Sequence, residues 1–244
     1  MQLHALHRLY EQRMAIVTRP YKARGANVKR CRYCMVNSHL CICDLKPKID
    51  TQAAFMLIMY DDEILKPSNT GRLIADLAPD TTGYIWSRLA PNEAMLAQLK
   101  NPKYQPYVVF PGEYATQQQV VCKPSIQQGK TPLFVLLDGS WSQARKMFKK
   151  SRWLHQYPVL SFAPDTVSRY KIRESALDNQ LATAEVAALV YASLGEAKNA
   201  MTMDLWFDVF KEHYLTGKMQ RQLPEQGARY ALAQWQNTNA TATS

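Results

Sequence analysis

Four cysteines fall within thirteen residues, Cys31, Cys34, Cys41 and Cys43, in the spacing C-x2-C-x6-C-x-C. Four thiolates this close match the four soft ligands of a tetrahedral structural zinc, and the first pair has knuckle spacing. The second pair is tighter than a usual zinc ribbon, and His39 is a further donor that could replace one thiol. Redox or persulfide chemistry and four unrelated thiols are the other readings of the cluster. Lys29, Arg30, Arg32 and Tyr33 flank the first pair, a basic and aromatic setting suited to RNA backbone and bases. Cys122 stands apart and is expected to be a buried apolar thiol.

A second constellation follows the apolar run Leu133-Phe-Val-Leu-Leu137, which stops at Asp138, Gly139, Ser140 and Trp141. In open α/β sheets ligands bind outside the carboxyl ends of strands, so these four residues sit where a substrate is expected. Arg145, Lys146, Lys149 and Lys150 come next and suit an anionic one. Earlier in the chain, Asn69, Thr70 and Gly71 form a polar turn before a helical pattern, able to hold a carboxylate or ribose or simply to cap the helix. Pro111 and Gly112 make another turn after the run Tyr107-Val-Val-Phe110.

The elements that must position these residues alternate. Strands are predicted at 53–59, 83–86, 107–110, 133–137 and 158–162, with helices at 69–78, 91–100, 141–151, 181–195 and 202–216. That order predicts an α/β fold, a mostly parallel sheet covered by helices. Leu3, Leu6, Leu9 and Met14 add a short basic amphipathic helix over 2–17, closed by Pro20. Residues 1–50 are thus expected to form a basic helix and a small zinc-clipped appendage, 51–221 the α/β domain, and 222–244 a polar tail that frays.

The 244 residues carry 30 Lys and Arg against 20 Asp and Glu, and residues 1–50 alone hold ten basic against three acidic side chains. A polyanion is the natural partner of such a surface, because neutralising phosphates releases condensed counterions. No stretch approaches the ~20 apolar residues of a membrane span. His4, His7, Arg8, Glu11 and Arg13 stand where a secretory signal needs an apolar core, so a cytoplasmic chain with thiols rather than disulfides is expected.

Taken together, Asn69-Thr-Gly71, Phe110-Pro-Gly-Glu113, Leu137-Asp-Gly-Ser-Trp-Ser-Gln-Ala-Arg145, Tyr170-Lys-Ile-Arg173 and Thr183-Ala-Glu185 resemble the DTW-domain family, with the cysteine cluster ahead of them. The resemblance covers roughly residues 30–215, and the family it points to includes bacterial tRNA-uridine aminocarboxypropyltransferases. It implies a SPOUT-like fold, in which a knot becomes worth considering. It also implies transfer of the 3-amino-3-carboxypropyl group of S-adenosylmethionine to N3 of a uridine in the tRNA variable loop. Three positions depart from the family pattern: Tyr60-Asp61 replaces a common His-Pro, Ser140 a threonine, and Ala182 a serine.

On that resemblance Asp138, Ser140 and Trp141 are the candidate catalytic residues. Asp138 would be the base or uridine-orienting acceptor, a position that equally suits a helix N-cap. Trp141 would stack on a base or lie beside the sulfonium, or else fill core. Asn69, Thr70, Gly71, Pro111, Gly112, Leu137, Tyr170, Arg173, Thr183 and Glu185 would bind the co-substrate. Among these, Arg173 with Tyr170 is offered to the methionine carboxylate or a tRNA phosphate, or equally to a surface salt bridge, and Glu185 to the ammonium group, or simply to the start of a helix. A SPOUT-type RNA methyltransferase and a non-catalytic zinc-knuckle RNA-binding protein are the competing functions. A homodimer and a monomer gripping tRNA unaided both fit the chain.

Overall fold

The computed structural model describes residues 3–17, 27–163 and 181–240. Among them six strands form one all-parallel sheet: β1 (Ala54–Met59), β2 (Thr81–Ile85), β3 (Tyr104–Val109), β4 (Val120–Val121), β5 (Thr131–Asp138) and β6 (Val159–Leu160). Their order is β2-β1-β5-β3-β6-β4, so the sequence-based expectation of a parallel α/β sheet holds. All six residues of β1 are buried, as a strand covered on both faces by helices requires.

The helices are α1 (Ala5–Ala15), α2 (Gly71–Leu77), α3 (Glu93–Lys100), α4 (Trp141–Lys150), α5 (Thr183–Ser193), α6 (Ala197–Met219) and α7 (Ala228–Ala240). Side chains alternate across a strand, and the core divides accordingly. Phe55, Leu57, Met59, Phe134 and Leu136 pack with residues of α1, α2, α5 and α6. Met56, Ile58, Val135 and Leu137 pack with α3 and α4. Burying these apolar faces is the main favourable term in folding.

From β1 the chain moves to β2 on one side, whereas from β5 it moves to β6 on the other. Neighbouring strands whose connections diverge open a crevice at their carboxyl ends, the usual ligand position in open α/β sheets. Here that point lies between Tyr60 and Gly139. The backbone confirms the closeness, since the Tyr60 N–H donates to the Asp138 carbonyl at 2.9 Å.

Three expectations need correction. β3 begins at Tyr104 although Pro106 lies within it. The N–H groups of Val108 and Phe110 point to the β6 side, so the donor that Pro106 lacks would face the same side before β6 begins. The polar C-terminal stretch does not fray at 228–240: it forms α7, Leu232 is buried, and the Trp235 indole donates to Thr202 of α6 at 3.0 Å. Cys122 is exposed rather than buried. No helix among the described residues is long and apolar enough to cross a membrane.

Candidate active site and cysteine cluster

Asp138 is the last residue of β5, and its side chain turns to the α2 and α5 side of the sheet, the side of Leu136. The residue is 4% exposed. Asn69 Nδ2 donates to Oδ2 and Thr183 Oγ1 donates to Oδ1, each at 2.8 Å. Burial first, and the nearby charge of Glu63 second, push its pKa up to about 6, against the opposing pull of the two donors and the Lys66 ammonium. A carboxyl group poised there accepts or releases a proton readily near neutral pH.

The loop after β1 supplies the other half of this cluster. Lys66 Nζ lies 2.6 Å from Glu63 Oε2, and the Asn69 amide stands between Glu63 Oε1, at 3.4 Å, and Asp138. Arg72 fixes the loop from below: buried, it donates to the carbonyls of Ile64, Lys66 and Asn69, each at 3.2 Å. Burial lowers its pKa to about 10, which leaves the guanidinium charged. Gly71 is required by space, because a Cβ there would lie 2.6 Å from Asp138 Oδ2. The Ala184 N–H donates to Thr70 Oγ1 at 3.3 Å and ties the start of α5 to this turn.

Asp138 does not cap a helix. That role belongs to Ser140, whose hydroxyl accepts from the Gln143 N–H while Gln143 Oε1 accepts from the Ser140 N–H at 2.8 Å. Glu185 likewise accepts from the Ala182 N–H at the start of α5, and burial raises its pKa. Its carboxylate is therefore engaged in starting the helix.

Trp141 and Leu137 lie on the opposite side of the sheet. The Trp141 ring stacks on Phe110 with centroids 5.5 Å apart and meets Tyr114 edge-on at 5.6 Å. Pro111 and Gly112 continue from Phe110, and the Gly112 N–H donates to Ser161 Oγ at 2.9 Å. The structure thus brings Asn69, Thr70, Gly71, Asp138 and Thr183 together, turns Glu185 to the start of α5 and the charges of Asp204 and Asp208, and sets Pro111, Gly112, Leu137 and Trp141 apart from them. Tyr170 and Arg173 lie outside the described residues. Sequence reasoning missed Glu63, Lys66 and Arg72. Asp61, Asp62 and Glu63 are three adjacent acids, and only the fold shows that the third turns inward while the first two pair with Arg13.

The four cysteine sulfurs converge. Cys31 Sγ and Cys43 Sγ are 3.6 Å apart, Cys34 Sγ and Cys41 Sγ are 3.8 Å apart, and all four lie within 4.8 Å of one another. Zinc–sulfur bonds of about 2.3 Å in a tetrahedron put sulfurs about 3.8 Å apart, so this donor set fits zinc. The knuckle turn is made by the Cys31 N–H donating to Val36 and by Met35 at φ 59, a left-handed conformation. Chiefly a hydrogen bond from Cys43, helped by the Ile42 and Val36 N–H groups, favours the Cys34 thiolate against burial. His39 is exposed and outside the group. Cys34, Val36 and Ile42 are buried in the main core, so the cluster is welded to the helical layer rather than hung from it.

Residues 28–215 match the family model of the DTW domain. No solved structure matches the chain.

Proposed function

The chain belongs to the DTW-domain family, and on that footing we propose that it is a cytoplasmic tRNA-modifying transferase. It moves the 3-amino-3-carboxypropyl group of S-adenosylmethionine to N3 of a uridine, in the variable loop, and releases methylthioadenosine. The observation that carries this reading is the buried, doubly hydrogen-bonded Asp138 at the crevice between β1 and β5.

The chemistry needs little from the protein beyond position and a base. Uridine N3 forms a bond to the γ-carbon of the aminocarboxypropyl group as the carbon–sulfur bond breaks, its electron pair returning to sulfur. The N3 proton passes to the Asp138 carboxylate, which Asn69 and Thr183 hold in place. Glu63 tunes that carboxylate upward, and Arg72 keeps Asn69 aimed at it through the loop carbonyls. The half-buried Thr70, in the turn beside Asn69, is offered to the polar groups of the co-substrate.

Zinc held by Cys31, Cys34, Cys41 and Cys43 would cross-link residues 31–43 and take no part in the transfer. The reading is tested by incubating the protein with S-adenosylmethionine and unmodified tRNA and identifying the nucleoside product. Methylthioadenosine supports transfer, S-adenosylhomocysteine indicates methylation, and neither product indicates a binding protein.

A further inference from the structure

On the side of the sheet away from Asp138, two aromatic rings close the carboxyl ends of adjacent strands. Tyr60 follows β1 and Trp86 follows β2; their rings stack with centroids 5.6 Å apart and planes 21° apart. The Trp86 indole donates to Ser151 Oγ at 2.9 Å, which fixes the ring against the end of α4. Lys146 of α4 donates to Tyr60 Oη at 3.0 Å and stands over both rings, 5.4 Å from one centroid and 5.9 Å from the other. Both rings are half-buried rather than closed into the core.

The charge around them is one-sided. Residues 139–163 contain Arg145, Lys146, Lys149, Lys150 and Arg152 and no carboxylate, and all five cations are exposed. Asp61 and Asp62, the carboxylates next to Tyr60 in sequence, pair with Arg13, and Asp138 turns to the other side of the sheet. Beyond Trp86 the loop carries exposed Arg88 and Leu89, the latter 91% exposed.

We propose that Tyr60, Trp86 and Lys146, continued along α4 by Lys149 and Lys150, bind an unpaired stretch of RNA. One base stacks on the aromatic pair and the phosphates follow the helix. Stacking on an aromatic ring combined with a cationic track is how single strands are held without sequence preference, and a duplex offers no free base face for it. The Tyr60 N–H reaches the Asp138 carbonyl, so a strand held here runs past the crevice between β1 and β5. RNA as the partner rests on the proposed tRNA modification, so the test reads binding rather than turnover.

A fluorescently labelled single-stranded oligoribonucleotide and the matching duplex are titrated against wild type, Tyr60→Ala, Tyr60→Phe and Lys149→Gln/Lys150→Gln. Single-strand binding should weaken about tenfold in Tyr60→Ala and stay within about threefold in Tyr60→Phe. The double lysine variant should weaken both ligands and flatten the salt dependence by about two phosphate contacts. Photocrosslinking wild type to a 4-thiouridine-labelled strand needs no variant, and the crosslinked peptide should contain Tyr60 or Trp86. Unchanged single-strand affinity in a folded Tyr60→Ala, or crosslinks confined to the Tyr33 peptide, overturns the proposal. Absence of methylthioadenosine beside Tyr60-dependent RNA binding would sink the transferase reading and uphold this one; release of methylthioadenosine with crosslinks elsewhere would do the reverse.

Discussion

The Asn69 amide donates to Asp138 Oδ2 at 2.8 Å, joining the loop after β1 to the end of β5 across 69 positions of sequence. The same amide nitrogen lies 3.4 Å from Glu63, so one donor separates two carboxylates. The Asn69 oxygen is buried with no hydrogen-bond partner among the described residues. Both hydrogen-bonding faces of this amide therefore matter to what can occupy position 138.

Asp138→Asn should separate stability from activity. The native pKa of about 6 lies above the unfolded carboxylate value, so the folded state binds more protons between the two. The contribution of Asp138 to stability is therefore greatest at low pH, falls as pH rises through that window, and stays reduced at neutral pH, by about 2–3 kcal/mol at most. The asparagine carries no charge to bury, and a flipped Asn69 can accept from its amide. Thermal unfolding at pH 7.5 should show a midpoint equal to wild type or a few degrees higher, while the transfer rate falls at least ~100-fold. A large drop in the midpoint would mean that the carboxylate is structural.

Glu63→Gln addresses tuning rather than chemistry. If Asp138 must be ionised to take a proton, kcat/KM should fall as pH drops through about 6. Removing the Glu63 charge favours the Asp138 carboxylate, so the acidic limb should move to lower pH, with activity above pH 8 changed less than the limb itself. A limb that stays in place would show that Glu63 does not act through Asp138.

Gly71→Ala should be more damaging than its size suggests. The added methyl would lie 2.6 Å from Asp138 Oδ2 and 3.1 Å from the Met59 side chain. Overpacking of this kind costs about 1–3 kcal/mol, and here the displaced group is the carboxylate. Thermal unfolding and turnover should both fall; wild-type turnover in the variant would mean that the Asp138 position is not critical.

Much of this arrangement was legible in the sequence. Buried parallel strands read as continuous apolar runs, which located β1 and β5 to within a few residues and put Asp138 at a strand end. The two-residue strands β4 and β6 are too short to show a period, and β4 was not anticipated. α7 was hidden by its Gln, Asn and Ala composition, since its order comes from Leu232 and Trp235 docking on α6. The partition of Asp138 and Trp141 between the two sides of the sheet also escaped a linear reading. Leu136 and Asp138 share one face with Leu137 on the other, and the turn through Gly139 then carries Trp141 to the side of Phe110.

Cys31→Ser/Cys34→Ser should release metal and loosen the fold together. Purified wild type should contain about one zinc per chain by elemental analysis and the variant essentially none. Because Cys34, Val36 and Ile42 are part of the main core, the unfolding midpoint should fall with the metal. Wild type free of zinc would remove the metal from the account.

The most direct measurement is the product formed from S-adenosylmethionine and unmodified tRNA by wild type and by Asp138→Asn. The account predicts methylthioadenosine and a uridine heavier by one aminocarboxypropyl group from wild type, and neither from a folded, tRNA-binding Asp138→Asn. S-adenosylhomocysteine as the product, or wild-type yield from Asp138→Asn, would contradict it.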